Sequence, residues 1–327
     1  MEEQDIMELM KKGTQHQLSG ELNEAENIYR QVLTAQEGPV VHNNLGFLLL
    51  QKKNYAEAIE EFSKAIDLKA DYAAAYKHLG YAYLLSGETE LAIEATKECF
   101  ELDPSDAEVV EILANYHFIS QNWPLTAYYR RKAYELSGKT GHLTELAYAL
   151  LMDSRIEEAT DLLESILANA ASRSSRVYSL LGTAYTMTHN LGLAISNYRQ
   201  ALGLEPENIE ARNNMALCLL QTGNAAEAMT EFKRVIMLQP DHSEARNNLA
   251  VLEIAAGNTD AALKNFDAVL GQQPDNAKAL YYKSGLLFQK RKFDEAKVLL
   301  EKLIATPDQS YRSKATEILS NLQQQKH

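Results

Sequence analysis

Gly138-Lys139-Thr140 has the ending of a loop that wraps nucleotide phosphates. In such a loop glycines present backbone N–H groups, a lysine reaches the outer phosphates and a hydroxyl meets magnesium. The loop also needs a preceding strand and a glycine five residues ahead of Gly138, where Ala133 stands, so nucleotide binding is not expected. The eight histidines are His16, His42, His78, His117, His142, His189, His242 and His327. No two are four residues apart, the spacing that sets two imidazoles on one helix face for zinc. Cys99 and Cys218 are the only cysteines, too few for a disulfide framework or a thiolate zinc site. Cys99 stands for a small core residue of a second helix and Cys218 lies inside a first helix, so both read as packing thiols. Acid pairs such as Glu60-Glu61 and Glu157-Glu158 read as solvated helix faces. No catalytic residue, metal or cofactor is assigned, and the chain is not expected to be an enzyme.

The elements that would position any site are helices repeated at a fixed interval. An alanine recurs at Ala25, Ala58, Ala92, Ala159, Ala194, Ala228, Ala262 and Ala296, with Thr126 filling the one gap, at a period near 34 residues. Twelve residues before each stands a small residue: Gly13, Gly46, Gly80, Ala114, Ala147, Gly182, Ala216, Ala250 and Ser284. Two helices of one hairpin can approach closely where neither carries bulk. Four residues after the alanine come bulky side chains, Tyr29, Phe62, Leu163, Tyr198, Phe232, Phe266 and Leu300, with Thr96 and Arg130 breaking the series. Pro104, Pro206, Pro240, Pro274 and Pro307 end repeats, Pro39 opens one, and Pro124 follows the candidate cap Asn122. Each lies where a missing N–H does least harm. Gly20, Gly87, Gly223 and Gly257 mark turns between paired helices.

The stretches Asn214 to Pro240, NMALCLLQTGNAAEAMTEFKRVIMLQP, and Asn44 to Leu68, NLGFLLLQKKNYAEAIEEFSKAIDL, resemble the tetratricopeptide repeat (TPR). The resemblance spans roughly residues 6–309 in nine units. It implies an all-α fold, a right-handed superhelical solenoid of antiparallel helix pairs. The expected division is residues 1–173 (repeats one to five), residues 174–309 (repeats six to nine), and a capping helix with a tail over 310–327. Tyr311, Ala315, Ile318, Leu319 and Leu322 give that last helix one apolar stripe. Ser137 to Gly141 and the longer connection over 168–175 make the middle irregular, read either as a hinge or as an extra half-turn.

Acidic residues outnumber basic ones by 45 to 32, a formal charge of −13. That balance argues against DNA, RNA or anionic membranes as partners. No apolar run approaches the roughly 20 residues that span a bilayer, and the N-terminus lacks the pattern of a secretory signal. Membrane insertion is not expected, and the chain is placed in the cytoplasm.

In the TPR family the first helix of each repeat lines a concave groove. The resemblance carries that register onto Asn43, Phe47, Leu50, Lys77, Tyr81, Leu84, Leu85, Asn115, Phe118, Ile119, Tyr148, Leu151 and Met152. Aromatic anchors there suit an amphipathic helix or apolar peptide, although burial between repeats would use the same side chains. Repeats seven and eight share Glu-Ala-Arg-Asn-Asn. Stacking would set Arg212 beside Arg246 and form ladders of Asn213 with Asn247 and Asn214 with Asn248. Similar ladders occur in TPR arrays of the O-GlcNAc transferase type. Asn amides can pair with an extended peptide backbone and Arg can fork onto a carboxylate; alternatively the asparagines tie repeats together. A clamp for chaperone C-terminal tails is not expected, because only Lys77 fits its pattern and Tyr81 and Ile112 depart from it. The expected function is a non-enzymatic scaffold or adaptor binding protein or peptide segments. An accessory subunit of a bacterial pilus, secretion or other assembly and a regulatory subunit of an enzyme complex are the alternatives, and self-association stays open.

Overall fold

The computed structural model describes residues 2–324, and side chains to residue 320. Leu322 of the expected stripe, and the tail end with His327, lie outside the described side chains. The described residues form nineteen α-helices, one 3-10 turn and no strand. The chain divides into two compact units, Met1–Leu162 and Leu163–His327. In the first, α1 (Glu3–Leu18) pairs with α2 (Leu22–Ala35), α3 (Pro39–Gln51) with α4 (Tyr55–Leu68), α5 (Ala73–Ser86) with α6 (Thr89–Leu102), and α7 (Ala107–Ile119) with α8 (Trp123–Ser137); α9 (Thr140–Met152) and the start of α10 (Ile156–Ala168) follow. In the second, the rest of α10 precedes four pairs: α11 (Ser175–Met187) with α12 (Leu191–Leu204), α13 (Ile209–Gln221) with α14 (Ala225–Leu238), α15 (Ser243–Ala255) with α16 (Thr259–Gln272), and α17 (Ala277–Gln289) with α18 (Phe293–Ile304). The last helix is α19 (Gln309–Gln324).

The small-residue register sets the closeness of each pair. A Cβ added at Gly13, Gly46 or Gly182 would stand 2.7 Å from the ring of Tyr29, Phe62 or Tyr198. Those rings are fully or almost fully buried, and burying one contributes about 1.5–3 kcal/mol. The prolines fall in connections or in the first turn of a helix, as at Pro39 and Pro124. Asn122 accepts a hydrogen bond from the Leu125 N–H, capping α8.

Every turn inside a repeat contains one left-handed residue, five positions before the repeated alanine or Thr126. Four are Gly20, Gly87, Gly223 and Gly257; the others are Lys53, Gln121, Ser154, His189 and Arg291, with φ over the nine between 55° and 90°. Only the glycine members were visible as turn signals. First helices receive recurrent caps: the side chains of Asp106, Asn208, His242 and Asn276 each accept from a backbone N–H three residues on.

The irregular stretch 168–175 contains a short helical turn of its own. Ala170–Ser172 form the 3-10 turn, the Asn169 side chain accepts from the Ala171 N–H, and Ser174 caps α11 through the Val177 N–H. At the other end of its unit, α19 lays Tyr311, Ala315, Ile318 and Leu319 against Leu280, Leu300 and Leu303. Among the described residues no helix is long and apolar enough to cross a membrane.

Candidate partner-binding face

In the first unit α1 touches α3 and α3 touches α5, so first helices succeed one another along one face. Their helical period is apolar on two sides, one toward the second helices and one left over. The leftover side exposes Phe47, Leu84, Leu85, Phe118, Ile119 and Met152, from 37% at Met152 to 80% at Ile119. The aromatic members are also braced. The Phe47 ring lies 5.0 Å from that of His78 on the next repeat. Phe118 stands 5.8 Å from both Trp123 and Tyr148, which are 6.0 Å from each other. Tyr81 and Tyr148 are half-buried. Leu151, expected in the groove, is 1% exposed and belongs to the core, and Leu50 packs against the core. The residue that sequence reasoning missed here is Trp123, which opens a second helix and was outside the first-helix register.

The polar residues of that register are tied to neighbouring helices. Asn43 is buried and its Oδ1 is 2.9 Å from His78 Nδ1. Lys77 Nζ lies 2.8 Å from Asp106 and 2.6 Å from Glu108. Burial opposes its charge, but hydrogen bonds to those carboxylates outweigh it and hold the ammonium well above the ordinary lysine range. Burial and a hydrogen bond to Glu108 likewise push the Tyr81 hydroxyl up. Asn115 Oδ1 accepts from Arg130, 2.6 Å away. Arg130 replaces the usual bulky core residue, is buried, and also meets Glu111 at 2.7 Å and Glu145 at 2.8 Å. The missing aromatic is thus replaced by an ion-pair network joining α7, α8 and α9.

In the second unit the two arginines turn into their own repeats. Arg212 is buried, pairs with Glu231 and donates to the Pro206 carbonyl. Arg246 donates to the Pro240 carbonyl at 2.8 Å and to Asn265 Oδ1 at 3.1 Å. His42 and Glu61, 2.6 Å apart, hold the same two registers in the first unit. Burial raises the Glu61 pKa, but hydrogen bonds from Lys64 and His42 outweigh it and keep the carboxyl below its usual range. Elsewhere the first of these registers holds Leu9, Tyr76, Val110, Leu143, Tyr178 or Leu280. That apolar company was the sequence signal that Arg212 and Arg246 occupy a hairpin-facing position.

The asparagines divide their amides. Asn247 Nδ2 donates to Asn276 at 3.1 Å and Lys278 donates to Asn248 Oδ1 at 2.7 Å. Three polar atoms at one register of consecutive first helices, Ser179 Oγ, Asn213 Oδ1 and Asn247 Oδ1, have no hydrogen-bond partner, nor does Asn248 Nδ2.

Repeated helix pairs with this small-against-bulky packing have a known counterpart. Family profiles described as tetratricopeptide repeat match residues 39–105, 188–252 and 253–317, well over half the chain. The chain belongs to the tetratricopeptide-repeat family. The TPR chain is 26% identical over 116 residues to protein unc-45 homolog B of Danio rerio, which covers 33% of this chain and 12% of that protein. Among solved structures, a chain of Naa15/Naa10 bound to HypK-THB superposes with a TM-score of 0.63 at 14% identity, covering 92% of this chain and 50% of that one. The human IFIT1 dimer with m7Gppp-AAAA gives 0.51 at 19% identity, over 96% and 80% of the two chains. These likenesses establish the all-α TPR fold. The chain spans half of the Naa15/Naa10 chain and about an eighth of the curated relative.

The thiols of this TPR chain sit in its packing. Cys99 and Cys218 are buried, burial pushes Cys99 up to about 11, and it raises Cys218 as well. A thiol so shifted is a poor nucleophile near neutral pH. Among the described residues no group of three or more His, Cys, Asp or Glu is arranged to hold a metal ion.

Proposed function

We propose that this TPR protein is a non-enzymatic scaffold whose first-helix face in residues 2–162 binds an amphipathic helix or apolar segment of a partner protein. The observation that carries the reading is the row of exposed apolar side chains, Phe47, Leu84, Leu85, Phe118, Ile119 and Met152, on successive first helices. Exposed apolar surface favours association, because docking removes it from water. Braced aromatics such as Phe47 and Phe118 lose little rotamer freedom on binding. Protein is favoured over nucleic acid as partner because the formal charge of −13 offers little to neutralise phosphates. The capped RNA in the human IFIT1 structure is a ligand of that protein.

The test replaces three exposed residues together, Phe47→Ser, Leu85→Ser and Ile119→Ser. Proteins that co-purify with the natural chain from its own cells should be lost from the variant. A purified partner should bind at least tenfold more weakly, as loss of an anchor worth about 1–4 kcal/mol implies. Thermal unfolding should change little. Equal recovery and affinity for every partner would remove this face from the function.

A further inference from the structure

Nine buried positions four residues after the repeated alanine or Thr126 hold Tyr29, Phe62, Thr96, Arg130, Leu163, Tyr198, Phe232, Phe266 and Leu300. Eight are bulky; Thr96 is not. The facing glycine is nevertheless present, as Gly80. In the repeats of Gly13, Gly46 and Gly182 that glycine makes room for a ring, whereas the atoms nearest a Cβ at Gly80 would be the Thr96 hydroxyl at 2.8 Å, the Ala92 carbonyl and the Thr96 nitrogen. The Phe62 ring reaches on to His78 of the next repeat, 5.6 Å away, and the residue in that register after Thr96 is Ile112. Beside Thr96 there is a slot of about 30 Å³, lined by residues that include Gly80, Tyr81, Leu84, Ile93, Thr96 and Ile112. Leu84 is exposed and Tyr81 half-exposed, so the slot opens on the candidate partner-binding face. At its rim Lys77 is held by two carboxylates, Asp106 and Glu108, leaving one negative charge in excess.

We propose that the slot beside Thr96 receives an aliphatic side chain of the partner, of leucine type, next to a basic residue that meets the Asp106–Glu108 rim. The chain's own repeats specify the occupant: in every other hairpin this position is filled by a large side chain, apolar in all but the Arg130 repeat. The room left beside Thr96 is small and its lining almost wholly apolar, which suits the tip of an aliphatic side chain. The proposal deepens the scaffold reading and rests on it.

Methyl NMR of the full chain, titrated with acetyl-Leu-Lys-amide and with acetyl-Ser-Lys-amide as control, tests it. The leucine probe should shift the methyl signals of Leu84, Ile93 and Ile112 saturably, and the serine probe should not. Thr96→Leu, which fills the slot from within, should abolish the shifts, whereas Thr96→Val keeps its shape and should retain them. If Thr96→Leu fails to fold, Thr96→Ala tests the same claim from the other side: by widening the slot it should tighten acetyl-Phe-Lys-amide at least threefold. Unmoved methyls in the natural chain, shifts that persist in folded Thr96→Leu, or no gain in Thr96→Ala would each overturn the slot. Loss of partner from the triple serine variant alongside silent probes removes the slot alone. Probe binding with partner capture unchanged in that variant removes the scaffold face alone.

Discussion

Arg212 and Arg246 have the same sequence surroundings and different energetic roles. Arg212 is buried against Glu231, whose carboxylate is left with only Arg234, 2.9 Å away, if the guanidinium is removed. Arg246 is partly exposed and bonds only neutral oxygens. Breaking a buried pair from one side is far more damaging than losing a neutral hydrogen bond. Arg212→Ala should therefore lower unfolding free energy by roughly 3 kcal/mol and Arg246→Ala by about 1 kcal/mol, read from urea melts. Equal losses would show that Arg212 is not the buried half of a pair. The sequence displayed both arginines as available charges. Their burial depends on a helix rotation that a one-residue change in register would reverse, and the apolar residues at the same register elsewhere carried that information.

The recurrent element is the hairpin, and its weakest local feature is the left-handed turn residue. Lys53, Gln121, Ser154, His189 and Arg291 adopt positive φ with a side chain attached. A left-handed L-residue costs about 1–2 kcal/mol, partly offset by the larger unfolded-state entropy of glycine. Replacing any one by glycine should raise stability by about 0.5–1 kcal/mol, and replacements in different repeats should add. Thermal or denaturant unfolding of single and paired variants checks this; a loss of stability would mean that the side chain, not the backbone, dominates the turn. The glycine turns were legible, whereas the non-glycine ones look polar and unremarkable in sequence. The backbone is forced left-handed there by the close packing of the two helices it joins.

At the scale of the whole molecule, each hairpin depends on its neighbours, so an end must be closed. In the second unit α19 does this over Leu280, Leu300 and Leu303. Removing residues 309–327 should expose that apolar surface, loosen α17 and α18 first, and promote self-association. Sedimentation and hydrogen exchange would show both effects, since repeat stability is a sum of local and nearest-neighbour contributions. A monomer with unchanged protection in α17 and α18 would mean that α19 contributes no interface energy.

The repeated helix pairs, the closing helix and the small-against-bulky contact of every hairpin but the one holding Thr96 were legible in the chain. These follow from near-neighbour periodicity, which side-chain size and backbone chemistry write directly into the chain. It also offered Phe47, Phe118, Tyr148 and Ile119 as surface candidates, but could not separate them from Leu151, which is core. That Asn43, Lys77 and Asn115 bond across to other helices, that Trp123 joins the aromatic group and that Thr96 leaves a slot became visible in the folded chain alone. Those outcomes depend on the rotation of each helix against two neighbours and on which polar partner lies within 3 Å, quantities set by packing over many residues.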